Sequence, residues 1–346
     1  MALDAIATQT EPLILQSPIL ARSLAQLTTS FGGFFATCAA MYACFQVSAW
    51  IALPLSTIAA GFLVRIFIIQ HDCGHGSFFK SRRANDLIGI VCSLMTLTPY
   101  ALWRRQHARH HGSWNNLDRR AASGIDIYSS CLTVAEYRAL PRWRRAAVRS
   151  IYNPLIANLL LPPFLFILLY RMPFDAAKGW RRERNAVYLT NIGLVALFGG
   201  LGLVLGYRRV IEVQLSIMII ASIVGVWLFS VQHRFEHAIW ATDKSWDFTT
   251  ASLRGTSYLH LPRILQWFTG NIGFHHVHHM NPRIPNYRLE ECHNTNVIFQ
   301  SVPELTLRAG LRGMRYVLWD NDLGRLVSFR SAVLASNNNI FARSKE

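Results

Sequence analysis

Residues 31–75 read FGGFFATCAAMYACFQVSAWIALPLSTIAAGFLVRIFIIQHDCGH, an apolar block that ends in two histidines. The block is interrupted only around Pro54, and Arg65 near its end is its only strongly basic residue. At about 1.5 Å per residue, some forty residues suffice for two crossings of a hydrocarbon core about 30 Å thick. We therefore predict a helical hairpin in a membrane, with His71 and His75 directly after it.

The composition of the whole chain also favours a membrane protein. Of its 346 residues, 51% are hydrophobic and only 16% are charged, whereas about a quarter of a soluble domain is charged. The net charge is +16, because 35 lysines and arginines face 19 acidic residues. Nucleic-acid-binding proteins share such a charge but are not apolar, so no nucleic-acid partner is expected. Cytoplasmic loops of membrane proteins favour lysine and arginine, which explains the excess.

A second apolar block predicts a second hairpin. It runs from Ala186 to Gln232, with YRRVIE (207–212) as its turn. The two blocks together predict an all-α membrane protein with four spans, at about residues 31–50, 52–70, 186–206 and 211–232. From about His233 onward the chain is amphipathic, and we expect it to form a cytoplasmic helical cap.

Two weaker apolar segments, 84–103 and 153–170, are predicted to be re-entrant or interfacial helices. Strongly basic stretches flank the second segment on both sides, and the positive-inside rule places both flanks in the cytoplasm. Pro162 and Pro163 also interrupt the middle of this segment, where a helix would break or kink.

Eleven of the thirteen histidines lie in four clusters, and three of the clusters follow the end of an apolar segment directly. The clusters are HDCGH (71–75), HARHH (107–111), QHRFEH (232–237) and HHVHH (275–279). On a helix, residues at i, i+3 and i+4 share one face, so HARHH presents three rings to one side. The last cluster repeats this HxxHH pattern and leaves His276 off that face.

The spacing of these histidines predicts a metal site. Imidazole suits iron, zinc, copper and nickel, and a single zinc needs only three or four ligands. Without His276 and one histidine of QHRFEH, the four clusters offer nine candidate ligands. Nine ligands are too many for one ion and about right for two. Two helical hairpins bring the clusters to one side of the membrane, where the rings can converge.

At this point the sequence resembles a known family. HDCGHGSFFK (71–80), HARHHG (107–112) and GNIGFHHVHHMNPRIPNY (270–287) resemble the three histidine boxes of the integral-membrane fatty acid desaturases. The resemblance covers about residues 30–300. The three residues between His71 and His75 are similar to the acyl-lipid branch, and the likeness is to bacterial phospholipid and omega-6 (Δ12-type) desaturases.

The resemblance implies a di-iron centre that uses O2 and two electrons to place a cis double bond in the acyl chain of a membrane lipid. His233 is the better ligand candidate in its cluster, because relatives often carry another residue at position 237. The implied ligands are His71, His75, His107, His110, His111, His233, His275, His278 and His279. The candidates for orienting ligand rings through their other nitrogen are Asp72, Glu236, His237 and Asn271.

Plainer roles are open for some of these residues. Asp72 could cap a helix, and Asn271 could serve only a turn. We expect NPRIPNY (281–287) to end the last helix rather than to take part in chemistry.

The implied substrate and partners follow from the same resemblance. An acyl chain must leave the bilayer, and apolar residues of the hairpins and of segments 84–103 and 153–170 could line its tunnel. Because the chain contains no HPGG-type haem motif, electrons are expected from a separate ferredoxin-like or cytochrome b5-like protein. The basic loops could bind anionic headgroups or dock an acidic donor. The site is expected on the cytoplasmic side of a bacterial inner membrane.

The resemblance also suggests a domain organisation. We expect a cytoplasmic segment at 1–30, the desaturase domain at 31–300 and a cytoplasmic tail at 301–346.

Two other functions are compatible with a histidine-rich membrane protein. A di-iron hydroxylase or ketolase acting on alkanes or carotenoids would share the ligands but leave oxygen on its product. A membrane metal transporter would place ligands near the bilayer midplane, whereas these histidines lie past the ends of the apolar segments.

Overall fold

A computed structural model describes residues 15–45, 47–120 and 128–332, and this part of the chain is mostly helical, as predicted. The helices are α1 (Leu20–Phe45), α2 (Ala49–His75), α3 (Arg82–Thr96), α4 (Tyr100–Ser113), α5 (Val134–Ala139), α6 (Arg142–Ile151), α7 (Leu161–Ile167), α8 (Arg181–Leu205), α9 (Tyr207–His233), α10 (Phe248–Arg254), α11 (Arg263–Phe268), α12 (His275–Met280), α13 (Leu289–Thr295) and α14 (Leu307–Gly313). The strands are β1 (Leu132–Thr133), β2 (Tyr258–His260), β3 (Glu304–Thr306), β4 (Leu318–Asp320) and β5 (Arg325–Val327). A π-helical turn (Ile156–Leu160) precedes α7, and 3-10 turns occupy Leu169–Arg171, Asn286–Arg288 and Val297–Ser301.

The first apolar block folds as the hairpin of α1 and α2. The chain reverses just before α2, where the Ser48 side chain caps that helix by accepting a hydrogen bond from the Trp50 N–H. We predicted the interruption around Pro54, but Pro54 lies inside the second turn of α2. A proline there removes one hydrogen bond, and the serine cap, not the proline, decides where the helix starts.

The second apolar block folds as the hairpin of α8 and α9. Its turn is Gly206, whose φ of +88° glycine adopts readily. The expectation that YRRVIE (207–212) is the turn was wrong, because these residues form the first turns of α9. The ring of Tyr207 packs so closely on Gly202 that a Cβ atom there would lie 2.3 Å from it, which allows a turn of one residue.

Each of the two weaker apolar segments belongs to a bent pair of helices. α3 and α4 meet at 101°, and α6 meets the helical stretch Ile156–Arg171 at 51°. Bends of this size are found in broken spans and in re-entrant loops. The second bend lies near Pro154 and not at Pro162 and Pro163, which occupy the first turn of α7, where the missing N–H costs little.

Several helices have the length and apolarity needed to cross a membrane. Within the described residues, α2, α8 and α9 meet this condition singly, and up to five crossings result if each bent pair counts as one span. These three helices contain the predicted spans 52–70 and 211–232 and, except for Gly206, the predicted span 186–206. The predicted span 31–50 overlaps α1, which is long enough but less apolar and begins at Leu20.

One face of α1 connects the apolar core to the polar end of the molecule. Its buried residues recur at helical spacing, as Ser23, Gln26, Ser30, Phe34, Cys38 and Met41. The apolar half of this stripe joins Ile66 of α2 and Ile217 of α9 in the main core. The polar half lies beside the turn that contains Asn286 and Tyr287.

The part of the chain after α9 contains strands that the predicted helical cap lacked. β1 pairs parallel to β4, β4 pairs antiparallel to β5, and β2 pairs parallel to β3. Trp319 and Leu326, partners across β4 and β5, pack against Phe235 and Trp240. Strands of two or three residues are too short to produce a period of two in the sequence.

The proposed domain boundaries stay predictions. Residues 1–14 of the N-terminal segment and residues 333–346 of the C-terminal tail lie outside the described residues. Residues 20–30 form the first turns of α1, and residues 304–327 contain α14 and three strands.

Replacing Gly270 by alanine is expected to lower the melting temperature of the purified protein. Gly270 has a φ of +53°, and an added Cβ would lie 2.8 Å from Cγ2 of Ile68 and 3.1 Å from Oδ1 of Asn286. The left-handed conformation alone costs an alanine about 1–2 kcal/mol.

Gly200→Ala provides the control for this substitution. Gly200 lies inside α8 with open space at its Cβ position, so alanine there should leave the melting temperature unchanged or raise it. Equal melting temperatures for the wild type and Gly270→Ala would contradict the packing described.

Candidate metal centre

The two histidines of HDCGH occupy the last turns of α2. His71 and His75 are one turn apart, and their ring centroids lie 4.7 Å apart. Gly76 ends the helix with a φ of +75°, and its N–H bonds to the carbonyl groups of Asp72 and Cys73. The glycine therefore places both rings at the very end of an apolar helix.

α4 supplies His107, His110 and His111. It begins directly after Pro99, whose carbonyl oxygen accepts a hydrogen bond from the Trp103 N–H at 3.0 Å. One turn before the histidines, Trp103 stacks on the ring of His107, with centroids 4.7 Å apart and planes at 15°. This stack limits the rotation of the His107 ring.

The remaining candidates come from α9 and α12. His233 is the last residue of α9 and is fully buried. In α12 the side chain of Val277 packs into a small core with Phe274 and Leu289, which anchors the short helix. His276, which the spacing placed off the shared face, approaches a different ring, with its Nε2 3.0 Å from Nδ1 of His293.

The four clusters converge into two adjacent groups of ring nitrogens. The first group, with nitrogens within 4.8 Å of one another, is His71, His75, His107, His111 and His278. The second group is His110, His233 and His279. Nε2 of His275 adjoins the second group, 2.9 Å from that of His233 and 3.1 Å from that of His279. All nine histidines named from the sequence therefore lie together.

Each HxxHH motif contributes to both groups. In α4, His107 and His111 join the first group and His110 the second. In α12, His278 joins the first group and His279 the second, and His275 lies beside the second. We predicted that the three rings of such a motif share one face, and that face proves wide enough to serve two neighbouring sites.

The distances between the nitrogens fit ligands of metal ions. In both groups, neighbouring Nε2 atoms lie close together, for example 3.1 Å between His107 and His111 and 3.1 Å between His110 and His233. Metal–imidazole bonds of about 2.0–2.1 Å that meet at a right angle hold their nitrogens about 2.9 Å apart. Nε2 of His75 is buried and has no hydrogen-bond partner among the described residues, so an ion would satisfy it.

Burial keeps the rings of His275, His278 and His279 neutral. It lowers the pKa of His275, His278 and His279 well below the usual value for histidine, and the charges that neighbouring rings would carry lower it further. A neutral imidazole retains the lone pair that a metal ion needs. The arrangement is thus compatible with a site for two metal ions.

Two polar side chains contact ligand candidates through the second ring nitrogen. Nδ1 of His71 lies 3.2 Å from Oδ1 of Asp72, and Nδ1 of His110 lies 3.2 Å from Oγ of Ser129. Such contacts fix the tautomer and the orientation of a ligand ring. Asp72 was singled out from the sequence, whereas Ser129 was missed because it stands alone after a stretch without any motif.

The other residues named for this orienting role lie further away. Asn271 adopts a φ of +57°, and its side chain donates to the carbonyl oxygen of Asn286, 3.1 Å away. Glu236 accepts a hydrogen bond from Tyr316 at 2.9 Å and pairs with Arg325. His237 is exposed and lies outside both groups.

An apolar cavity of about 220 Å³ opens beside the two groups. His71, His107, His110 and His275 line one end of it. α9 lines it from Gln232 to Met218, a distance of about 20 Å at 1.5 Å per residue. Both weaker apolar segments also contribute to its wall, for example through Thr96 and Phe166.

Comparison with known proteins indicates the same family that the histidine motifs resemble. The sequence model of the fatty acid desaturase family matches residues 48–304. A fatty acid desaturase of Bacillus subtilis (strain 168) is 42% identical over 314 residues, which cover 91% of this chain and 88% of that protein. The sn-1 oleoyl-lipid 12-desaturase of Synechocystis sp. is 27% identical over 252 residues, or 71% of this chain and 68% of that protein.

A chloroplastic omega-6 fatty acid desaturase of Spinacia oleracea is 27% identical over 256 residues, or 71% of this chain. The match covers 54% of that protein, so the chain spans about half the length of this relative.

The matched region contains all nine clustered histidines. The prediction of a desaturase, an oxidoreductase of lipid metabolism, is confirmed over the hydroxylase, ketolase and transporter alternatives. The chain belongs to the fatty acid desaturase family.

Proposed function

We propose that this protein is an O2-dependent di-iron desaturase that introduces a cis double bond into the acyl chain of a membrane lipid. The observation that carries the proposal is the pair of adjacent histidine groups at one end of an apolar cavity. The name of the Synechocystis relative, an sn-1 oleoyl-lipid 12-desaturase, supports an acyl-lipid substrate.

The first group, with five rings, would hold one iron, and the second group together with His275 would hold the other. When bound there, the two irons would supply the chemistry that consumes O2, two electrons and two protons, removes two hydrogens from neighbouring methylene carbons and releases two waters. Imidazole ligation is compatible with iron.

The residues of this chain would orient the ligand rings and exclude water from the site. Asp72 and Ser129 hold ring nitrogens of His71 and His110, so that the opposite nitrogens face the ions. The apolar wall of the cavity, which includes Phe67 and Phe229, excludes water from the oxidising site. It also gives a saturated chain a favourable environment beside the histidines.

In the membrane, we propose that α1 with α2 and α8 with α9 cross as two hairpins. The clusters at the ends of α2 and α9 then lie on one side, together with the remaining helices and strands. The basic residues support the cytoplasmic side of a bacterial inner membrane, since α6 alone carries four arginines and buries none of its residues.

Electrons would come from a separate ferredoxin-like or cytochrome b5-like protein. Two uses of the basic surface support different partners. Arginines near anionic headgroups contribute about 1 kcal/mol each to membrane attachment. The same charges would attract an acidic electron donor and raise its rate of association.

Replacing one histidine of the first group is expected to remove iron. The purified wild type should contain two irons per chain, and His111→Ala should contain about one or fewer, because a fifth of the first group's nitrogens is lost. Iron is counted by mass spectrometry of the metal against protein concentration. His237→Ala is the control and should keep both irons, since His237 is exposed. Two irons in His111→Ala would contradict the assignment.

Expression in a host with simple lipids should yield fatty acid methyl esters that carry a new cis double bond, detected by gas chromatography and mass spectrometry. His278→Ala, which lacks a member of the first group, should yield none. Oxygenated esters would favour the hydroxylase alternative, and an unchanged lipid profile with metal uptake would favour transport.

A larger residue inside the cavity should shorten the preferred acyl chain. Gly225 lines the cavity and has open space at its Cβ position, so Gly225→Leu would fill part of the volume that a long chain needs. The shift is measured as the ratio of products from chains of different length. Gly200→Leu, on the exposed side of α8, is the matched control. Unchanged selectivity in Gly225→Leu would rule out this cavity as the tunnel.

A further inference from the structure

The carboxylate of Asp72 is fully enclosed and has a defined partner for each oxygen. The residue is 2% exposed. Oδ1 faces Nδ1 of His71 at 3.2 Å. Oδ2 accepts two hydrogen bonds from one residue, from the backbone N–H of Asn286 at 2.7 Å and from its side-chain Nδ2 at 2.8 Å. The orientation of this carboxylate is therefore set by a residue 214 positions away in the sequence.

Asn286 is itself held on all sides. It is 1% exposed, and its Oδ1 accepts a hydrogen bond from Nε2 of Gln26 on α1 at 3.1 Å. Its carbonyl oxygen accepts a hydrogen bond from the side chain of Asn271 at 3.1 Å. The same carbonyl oxygen also accepts a hydrogen bond from the Leu289 backbone N–H. Each polar group of Asn286 thus has at least one partner, and the side-chain amide is left with a single orientation, Nδ2 toward Asp72.

We infer that Asn286 is a positioning residue of the metal centre, which acts on His71 through Asp72. The inference rests on the proposed function, because it assumes that His71 binds a metal ion. It gives the turn NPRIPNY a role beyond ending α12, the only role expected from the sequence. It also gives Asn271 a role one step further from the ion, since Asn271 contacts Asn286 and not a ring.

The physical reason is the cost of an unsatisfied buried carboxylate. Without the Nδ2 donor, Oδ2 of Asp72 keeps only the hydrogen bond from the backbone N–H of Asn286. The carboxylate would then lower its free energy by rotating toward another hydrogen-bond donor. Rotation moves Oδ1 away from Nδ1 of His71, so the ring loses the contact that fixes its tautomer and its plane. Loss of such an indirect contact typically weakens metal affinity about 10- to 100-fold.

A purely structural role for Asn286 makes a different prediction. In that case Asn286 only ties α1 to the turn through Gln26, and its loss lowers the melting temperature without a specific effect on the ion. Asn85 provides a matched comparison, because it is also 1% exposed and joins neighbouring backbone groups of Phe79 and Ser81. Asn85 approaches none of the nine rings through these bonds.

The test measures how fast iron leaves the purified, iron-loaded protein in an excess of a ferrous-iron chelator. Asn286→Leu keeps the branching and the approximate size of asparagine but removes its donor and acceptor. It should release iron about 10- to 100-fold faster than the wild type. Asn85→Leu should lower the melting temperature but release iron at the wild-type rate. Equal release rates for Asn286→Leu and Asn85→Leu would overturn the inference.

A double-mutant cycle separates an effect through Asp72 from any other effect. Asp72→Ala alone should accelerate iron release about as much as Asn286→Leu, and the combined variant should be less than twofold faster than either. Fully multiplied effects in the combined variant would overturn the proposed route. Asn286→Ser is measured as well, so that the comparison survives if the leucine variant does not fold. A wild type that holds no iron would contradict the proposed function instead.

Discussion

Nine imidazole rings from four separate places in the chain share one enclosed site, and the rest of the structure depends on this constraint. A buried polar atom without a partner costs about 1–3 kcal/mol. Nδ1 of His233, His275 and His279 has no hydrogen-bond partner among the described residues, while their Nε2 atoms face one another. Neutral rings have one N–H each and cannot satisfy all these nitrogens mutually. Metal ions between the rings would satisfy the Nε2 atoms and leave the N–H of each ring at Nδ1, which is why the helix ends must meet accurately.

Helix caps and one turn provide that accuracy. Gly76 ends α2 directly after His75, and Val277 anchors α12 in its own small core. The turn after α12 then ties this helix to α1 and α2 through hydrogen bonds of Asn286 and Tyr287. Because Gly270 packs against Ile68 and Asn286 at the same place, the loop before α12 is fixed by the same contacts. The last histidine motif is therefore held from both of its ends.

Much of this arrangement could be predicted from the sequence because it rests on periodic patterns. Apolar blocks of span length predicted the helices α2, α8 and α9, and the HxxHH spacing predicted the residues that converge. Single polar residues that act over long sequence distances leave no such pattern, so Ser129 and Asn286 were missed. The turn at Gly206 was missed because its charged neighbours suggested a loop, whereas a single left-handed glycine sufficed. The short strands depend on tertiary pairing, which a local pattern does not contain.

The same helices that carry histidines also form the wall of the cavity, and this links two properties of the enzyme. On α9, His233 and Met218 lie about four turns apart, which places them about 22 Å from each other along the helix axis. On α2, His71 lines the cavity two turns beyond Leu63. Because a helix is stiff at this scale, the distance from the histidines to the far end of the cavity is set by the number of helical residues between them. Under the proposed function, substitutions in the wall would therefore change which acyl chain fits, while the depth at which that chain meets the histidines would stay the same.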